Sequence, residues 1–393
     1  MDAPRVANQL RQQLPAAEKL AYFDHAAVAP IPAQTAVAMN HYVEQALNWG
    51  DLYWQDWAAG VERARPSAAK LIGAQPHEIA MMSNTTAGIS VIAEGFPWQP
   101  GDNVVVPNNE FPSNLLPWRN LARRGVQLKL VEVGLDGSLT PKMLESQIDA
   151  QTKLVAISWV GFSSGFRCDL DGISQMVHSH GCSLLLDAIQ GLGAFPIDVK
   201  KLGIDFLASD GHKWMLGPEG AALLYIDSQH LDRLRPLGVG WNSLAGGCFD
   251  PGSTQLKHSA ARYEGGSTCM VSMLGLGASL ELLLELGSHL PDSQLAQAVL
   301  NNVNHLTKEL PAAGFQVEVP LCAENRSGII GVRWPEADLA GETGYLRARK
   351  HLLSRKVAVS VRGGRVRVAT HAYNNAQDRE RLIHGLQEFR HAP

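Results

Sequence analysis

No stretch of this sequence is both long and apolar enough to cross a membrane. The longest candidate, Val271 to Gly287, carries Glu281 and Glu285 and is interrupted by Gly275 and Gly277, so it reads as a buried helix. The opening MDAPRVANQLRQQLP lacks the apolar centre of a signal peptide. Charge of one sign is not in excess either. Lys+Arg total 34 against Asp+Glu 38, a net −4, which argues against nucleic-acid or anionic-membrane partners. Cysteine is scarce: five residues, at 168, 182, 248, 269 and 322, an odd number with no CxxC spacing. That pattern points to reduced thiols in a cytoplasmic protein. Neither GxGxxG nor GxxxxGK[ST] occurs, so nucleotide binding has no support. No fixed-period repeat or low-complexity linker stands out.

What is present is a chain of 393 residues, 45% hydrophobic and 18% charged, enough for a sizeable core. Short apolar runs alternate with helical segments. Strands are expected at Asn103–Val106, Val126–Val133, Lys153–Ser158, Cys182–Asp187, Asp205–Ser209 and Ala221–Ile226. Helices are expected at Asn114–Arg124 and Ile173–His180, the second closed by Gly181. This alternation predicts an α/β fold, a mostly parallel sheet sandwiched by helices. Beyond about residue 265 the texture changes to helices Met273–Leu286 and Gln294–Leu310, strands Gln316–Val319, Gly328–Arg333 and Arg365–Thr370, and a last helix Asn375–Arg390. The expected organisation is an N-terminal arm (1–20), a large domain (21–265) and a smaller α+β domain (266–393), with the arm packed on the small domain.

Ligands of open parallel sheets bind at the carboxyl ends of the strands. Asp187 closes the run Cys182-Ser-Leu-Leu-Leu-Asp187, where partial desolvation calls for a cationic partner; taken alone, it also suits a cap for the next helix. Lys213 follows a strand inside Gly211-His-Lys-Trp-Met-Leu-Gly-Pro-Glu-Gly220. A lone lysine is ordinarily a solvated charge, but an amine desolvated in such a loop has a lowered pKa and can form imines. One strand separates the two residues, so adjacent parallel strands would bring both to one sheet edge. An imine-forming lysine facing an aspartate that holds a pyridinium nitrogen is what pyridoxal phosphate requires.

These residues give the chain a resemblance to the class V aminotransferase family of fold-type I pyridoxal-phosphate enzymes, which includes cysteine desulfurases, kynureninases and isopenicillin N epimerase. The similarity runs from Tyr22-Phe-Asp-His-Ala-Ala27 to about Tyr373. It implies pyridoxal 5'-phosphate as cofactor, bound to Lys213, which also moves the proton at the substrate Cα. By the same resemblance Asp187 keeps the ring nitrogen protonated and Gln190 bonds the ring hydroxyl. Thr85 and Thr86, in Ser83-Asn-Thr-Thr-Ala-Gly88, resemble the phosphate-binding turn, and His212 lies beside the cofactor. Ser267 matches the hydroxyl that reaches the neighbouring subunit's phosphate, implying a homodimer with shared sites. Arg367 and His25 would meet the substrate, a small amino acid. On spacing alone, Arg365 and Arg367 share a face that is more often solvated.

The departures bear on the reaction. Phe111 stands where the family places a histidine over the ring; it can stack but cannot carry protons. The stretch Val359-Ser-Val-Arg-Gly-Gly-Arg-Val366 has no cysteine where desulfurases keep their nucleophile. Phe162 replaces a common asparagine, and Asp210 an often phosphate-binding serine, whose place an anion fills awkwardly. The expected activity is therefore a desulfurase-like C–S lyase working by β-elimination without a persulfide cysteine, with aminotransferase or epimerase as alternatives. Two readings of other classes stand beside it. One is a serine hydrolase using Ser163 in Gly161-Phe-Ser-Ser-Gly165, although no helical pattern follows that motif. The other is a catalytically silent scaffold, which would have no need of Lys213. His178-Ser-His180-Gly-Cys182 is not expected to hold a metal, since positions two apart on a helix do not share a face.

Overall fold

A computed structural model describes residues 2–246, 254–334 and 341–390; Cys248 lies outside them. The strands, in chain order, are β1 (Ala21–Tyr22), β2 (Ile79–Met82), β3 (Asn103–Pro107), β4 (Gln127–Val131), β5 (Thr152–Ser158), β6 (Ser183–Asp187), β7 (Phe206–Asp210) and β8 (Ala222–Ile226), then β9 (Gln316–Glu318), β10 (Ile329–Arg333), β11 (Val357–Ala358), β12 (Ser360–Arg362) and β13 (Arg365–Ala369). Strands β2 to β8 make a seven-stranded sheet in the order β2-β8-β7-β6-β5-β3-β4. The expected strands are all present, and the sheet is mostly parallel.

One strand runs the other way. β8 pairs antiparallel with both β7 and β2. The connection 211–221 folds back on itself, with Gly217 N–H donating to Gly211 O, and is too short for the crossover that a parallel return needs. That reversal packs the Lys213 loop tightly against the end of β7.

The sheet is buried on both faces, as its continuous apolar strands dictate. Leu184 and Leu186 of β6 point into one core cluster and Leu185 into the other. Helix Met270–Glu285, apolar on nearly every side as a buried helix is, packs against helices Ala33–Trp49 and Trp54–Ile72, adding Met273, Leu276 and Leu280 to the core of the large sheet. The smaller sheet has the order β12-β13-β10-β9 and is antiparallel throughout. Its own core contains Ile330, Val366 and Val368. Helix Ala3–Gln12 lies along helix Gln294–Ala312, and Arg11 bonds Asp378 at 2.8 Å in the last helix.

Two segments differ from expectation. Asn114–Arg124 is a chain of short turns, with only Leu116–Asn120 α-helical, because Pro117 lacks the N–H that would continue a longer helix. The second is residues 21–24, which follow the expected arm (1–20) at the start of the expected large domain. β1 pairs in parallel with β11, and Asp24 bridges to Ala369, so residues 21–24 sit between β11 and β13.

Candidate functional site

A cavity of about 260 Å³ opens at the carboxyl ends of β6 and β7. Asp187, Gln190, Asp210, His212 and Lys213 line it from the large sheet, and Arg362 and Arg367 from the small one. Asn84, Thr85, Thr86 and Ser113 form a polar end, and Phe111 and Phe162 an aromatic wall.

Asp187 is the last residue of β6, opposite Ala208 of β7, and is only 2% exposed. Burial pushes its carboxyl up to about 6, against the opposing pull of the Ile189 N–H and the Lys213 charge. Asp187 caps no helix, since none begins before β7; Ile189 N–H donates to its Oδ1 at 3.0 Å and closes a local turn instead. Lys213, 8% exposed, is drawn down to about 8 by burial, with Asp187 acting in the other direction. Its Nζ lies 5.7 Å from the centre of the Phe111 ring. The carboxyl holds its proton more tightly than usual and the ammonium less tightly, which brings both toward neutral pH, a property of working acid–base groups.

The Lys213 loop is held from several sides. Leu216 N–H donates to Lys213 O at 3.2 Å, Leu216 O accepts from Ser279 Oγ, and Leu216 itself has φ +58°. Gly193, at φ +98°, passes so close to Trp214 that a Cβ there would sit 2.4 Å from the Trp214 carbonyl oxygen. Gln190 is fixed by donating to Ala26 O at 3.0 Å and accepting from Trp214 Nε1 at 2.9 Å, which leaves one of its N–H groups free.

At the polar end, helix Thr85–Gly95 begins with Asn84 accepting from Ala87 N–H at 2.8 Å. The first-turn N–H groups and the Thr86 and Ser113 hydroxyls, 2.8 Å apart, suit a phosphate dianion. Thr85 Oγ1 accepts from the Asp210 N–H at 2.9 Å. Asp210 and His212 stand 2.8 Å apart, yet Asp210 Oδ1 and His212 Nδ1 lack a well-directed hydrogen bond. Both side chains line the cavity. On the small sheet, Arg367 is almost fully buried and its proton affinity falls to about 10 for that reason. Nε donates to Ser360 Oγ at 2.9 Å and Nη1 to Phe162 O at 2.8 Å, whereas buried Nη2 has no hydrogen-bond partner and only Asp24, at 3.5 Å, nearby.

These features fit pyridoxal phosphate: a softened amine, a buried carboxylate, a phosphate cradle, an exposed phenyl ring and an open guanidinium N–H edge. Two of the sequence-selected residues lie elsewhere. His25 is fully enclosed, its Nε2 2.7 Å from Tyr373 OH and its ring 4.8 Å from that of His371, and it does not line the cavity. The Gln190 bond to Ala26 draws this segment inward. Ser267 is exposed and outside its own chain's cavity.

Ser163 does not belong to a hydrolase elbow. Its carbonyl and hydroxyl both accept from Arg365 Nη2, and the motif folds into a turn closed by a Val160–Arg167 bridge. The next helix starts only at Leu170. His178 is paired with Asp205 at 2.9 Å, and no metal-binding cluster occurs among the described residues. Sequence reasoning missed Ser113 and Arg362. For Arg362 the signal was present in Arg362-Gly-Gly-Arg365, a two-residue hairpin turn that orients the arginines on either side of it.

The profile of the family described as "Aminotransferase class-V" matches residues 21–380. A probable cysteine desulfurase of Methanothermobacter thermautotrophicus is 29% identical, over 97% of this chain and 97% of that protein. Two solved structures share the fold. The apo cysteine desulfurase from Thermococcus onnurineus NA1 has a TM-score of 0.84 at 23% identity, covering 97% of both chains. The cystine C–S lyase C-DES, in complex with its product cysteine persulfide, has a TM-score of 0.87 at 21% identity, covering 96% of this chain and all of that one.

Proposed function

This chain belongs to the aminotransferase class-V family of pyridoxal-phosphate enzymes, and we propose that within it the chain is a C–S lyase acting by β-elimination on a small sulfur-containing amino acid. One observation carries the reading: Lys213 and Asp187 share a buried cavity that no cysteine among the described residues lines. When bound, pyridoxal phosphate supplies an aldehyde for the lysine amine and a protonated ring that accepts the electron pair left at the substrate Cα.

The chain's own residues supply the rest. Lys213, with its proton affinity lowered to about 8, takes the Cα proton and hands it on to the departing sulfur. Asp187, shielded from water, holds the proton on the ring nitrogen. Thr85, Thr86 and Ser113 grip the phosphate, and Gln190 offers its free N–H to the ring hydroxyl. Phe111, on the aromatic wall of the cavity, would pack against the ring and cannot move protons, which disfavours an epimerase that needs a second proton carrier there. Arg367 Nη2 receives the substrate carboxylate. With no cysteine among the described residues lining the cavity, sulfur departs as product; the C–S bond breaks, its electrons leave on sulfur, and water hydrolyses the remaining three-carbon fragment to pyruvate and ammonia.

The protein is proposed to be a cytoplasmic homodimer in which Ser267 reaches the partner's phosphate. No helix among the described residues is long and apolar enough to cross a membrane. The deciding experiment incubates holoenzyme with a panel of amino acids and measures sulfide, pyruvate and keto acids. Sulfur release with stoichiometric pyruvate supports the lyase; keto-acid-dependent turnover without sulfur release overturns it in favour of the aminotransferase.

A further inference from the structure

Glu110 is a second buried acid close to the cofactor cavity, though it does not line it. It stands in the turn after β3 and is clamped to the end of β5. Oε1 accepts from Ser158 N–H at 2.6 Å, and Oε2 pairs with the Ser158 hydroxyl. Ser158 is in register opposite Asp187 of β6, and the next residue, Trp159, donates its N–H to the Asp187 carbonyl at 2.9 Å. Two carboxyl groups therefore meet at neighbouring strand ends, Asp187 facing the cavity and Glu110 on the other side of β5.

The clamp itself needs no charge. A glutamine makes the same two bonds, accepting from the N–H and donating to the hydroxyl. An acid in that place is costly unless something neutralises it. Its polar neighbours are Ser158 and Asn114, and among the described residues no lysine, arginine or histidine lies within ion-pair distance. A pocket of about 20 Å³ beside it, shared with Ser158 and Cys168, has room for a water molecule but not for a cationic side chain. The Cys168 thiol donates to Ser158 O at 3.5 Å and is kept protonated by burial. The titratable neighbour that remains is Asp187. Burial, with the Asp187 charge adding to it, holds the Glu110 proton up to about 7. Coulomb repulsion is mutual, so an ionised Glu110 raises the proton affinity at Asp187 in turn.

A negative charge behind Asp187 also favours a positive charge in front of it. We propose that Glu110 is a positioning residue for the proton on the cofactor's ring nitrogen: acting through Asp187, its carboxylate strengthens the hold on that proton without touching the ring. The inference rests on the reading above that Asp187 holds the ring nitrogen, and adds a source for the strength of that hold.

The test compares two ligands of the cofactor-free protein at about pH 8. One is pyridoxal phosphate; the other is its analogue with C–H in place of the ring nitrogen, which cannot be protonated there. Absorbance titration of each gives a ratio of affinities with no substrate and no turnover. Wild type is expected to prefer pyridoxal phosphate, and Asp187→Asn to lose that preference. Glu110→Gln should hold the analogue as wild type does and lose about tenfold of the preference, equivalent to a shift of about one pH unit at the ring. Equal weakening of both ligands would make Glu110 a clamp alone and overturn the proposal. A wild type that does not distinguish the ligands removes the Asp187 reading and this inference with it. A preference that Asp187→Asn abolishes and Glu110→Gln leaves intact removes this inference alone.

A second measurement does not depend on the cofactor. The folded apoprotein keeps the Glu110 proton between pH 4.5 and about 7, so wild type loses stability as pH rises through that window. The melting temperature of Glu110→Gln relative to wild type should therefore climb between about pH 4 and about pH 8. A constant difference would show that no carboxylate forms at this position, and the proposal would fall.

Discussion

The Asp187 carboxylate and the Lys213 amine lie in one buried cavity and each moves the other's proton affinity, the acid resting at about 6 and the base at about 8. Neither group is comfortable as an ion there, and each is the nearest relief for the other. Replacing Lys213 with alanine should lower turnover of every substrate by at least about 10²–10⁴-fold, the usual worth of a positioned proton carrier. It should also abolish the cofactor that borohydride fixes to the protein. Mass spectrometry after reduction reads the second effect directly, and a variant still carrying reduced cofactor would move the attachment to another lysine.

The Asp187 carboxyl has a higher proton affinity folded than unfolded. The folded chain therefore binds the extra proton between pH 3.8 and about 6, and stability falls as pH rises through that window. Above it, the rise in proton affinity corresponds to a cost of about 3 kcal/mol. In cofactor-free protein, Asp187→Asn should recover roughly 1–2 kcal/mol near neutral pH, since loss of the favourable partner of Lys213 offsets part of the gain. Thermal unfolding at about pH 8 should show the variant to be the more stable, with the gap closing at about pH 4. Activity should be lost all the same, a trade of function against stability common at reactive sites.

Arg367→Lys keeps a cation beside Asp24 and loses the forked donor. The expected result is a KM raised about ten- to a hundredfold, equivalent to roughly 1.5–3 kcal/mol, with kcat changed much less. Steady-state kinetics separates the two parameters; an unaltered KM would place the substrate carboxylate elsewhere.

Gly193→Ala tests how the lysine loop is held. A side chain at φ +98° and 2.4 Å from the Trp214 carbonyl must displace backbone, costing roughly 1–3 kcal/mol. Urea unfolding should register that loss, and cofactor uptake should weaken because Trp214 adjoins Lys213. Wild-type behaviour in both would mean that the loop tolerates the intrusion.

The parts of this molecule that were readable in advance are those where local pattern and tertiary role coincide. Asp187 and Lys213 stood out because a charge ending an apolar strand has few uninteresting explanations once a second one accompanies it. The parallel core was legible because strands covered on both faces are apolar throughout. β2, four residues long, carries too little pattern to be recognised, and the reversal of β8 follows from loop compaction rather than from its own residues. Arg362 was overlooked because an exposed arginine beside a glycine turn resembles any solvated charge until strand register sets it across from Arg365. His25 was misplaced because its surroundings come from Trp214, His371 and Tyr373, far along the chain.

The placement of residues 21–24 between β11 and β13 has a bearing on biosynthesis. An early segment waits for two of the last strands to be made, and Asp24 has its guanidinium neighbour only once Arg367 has emerged. The nascent chain can assemble the large sheet and the lysine loop well before that. The wall of the cavity that carries Arg367 is added after the floor, so the two sides of the cavity are built at different times.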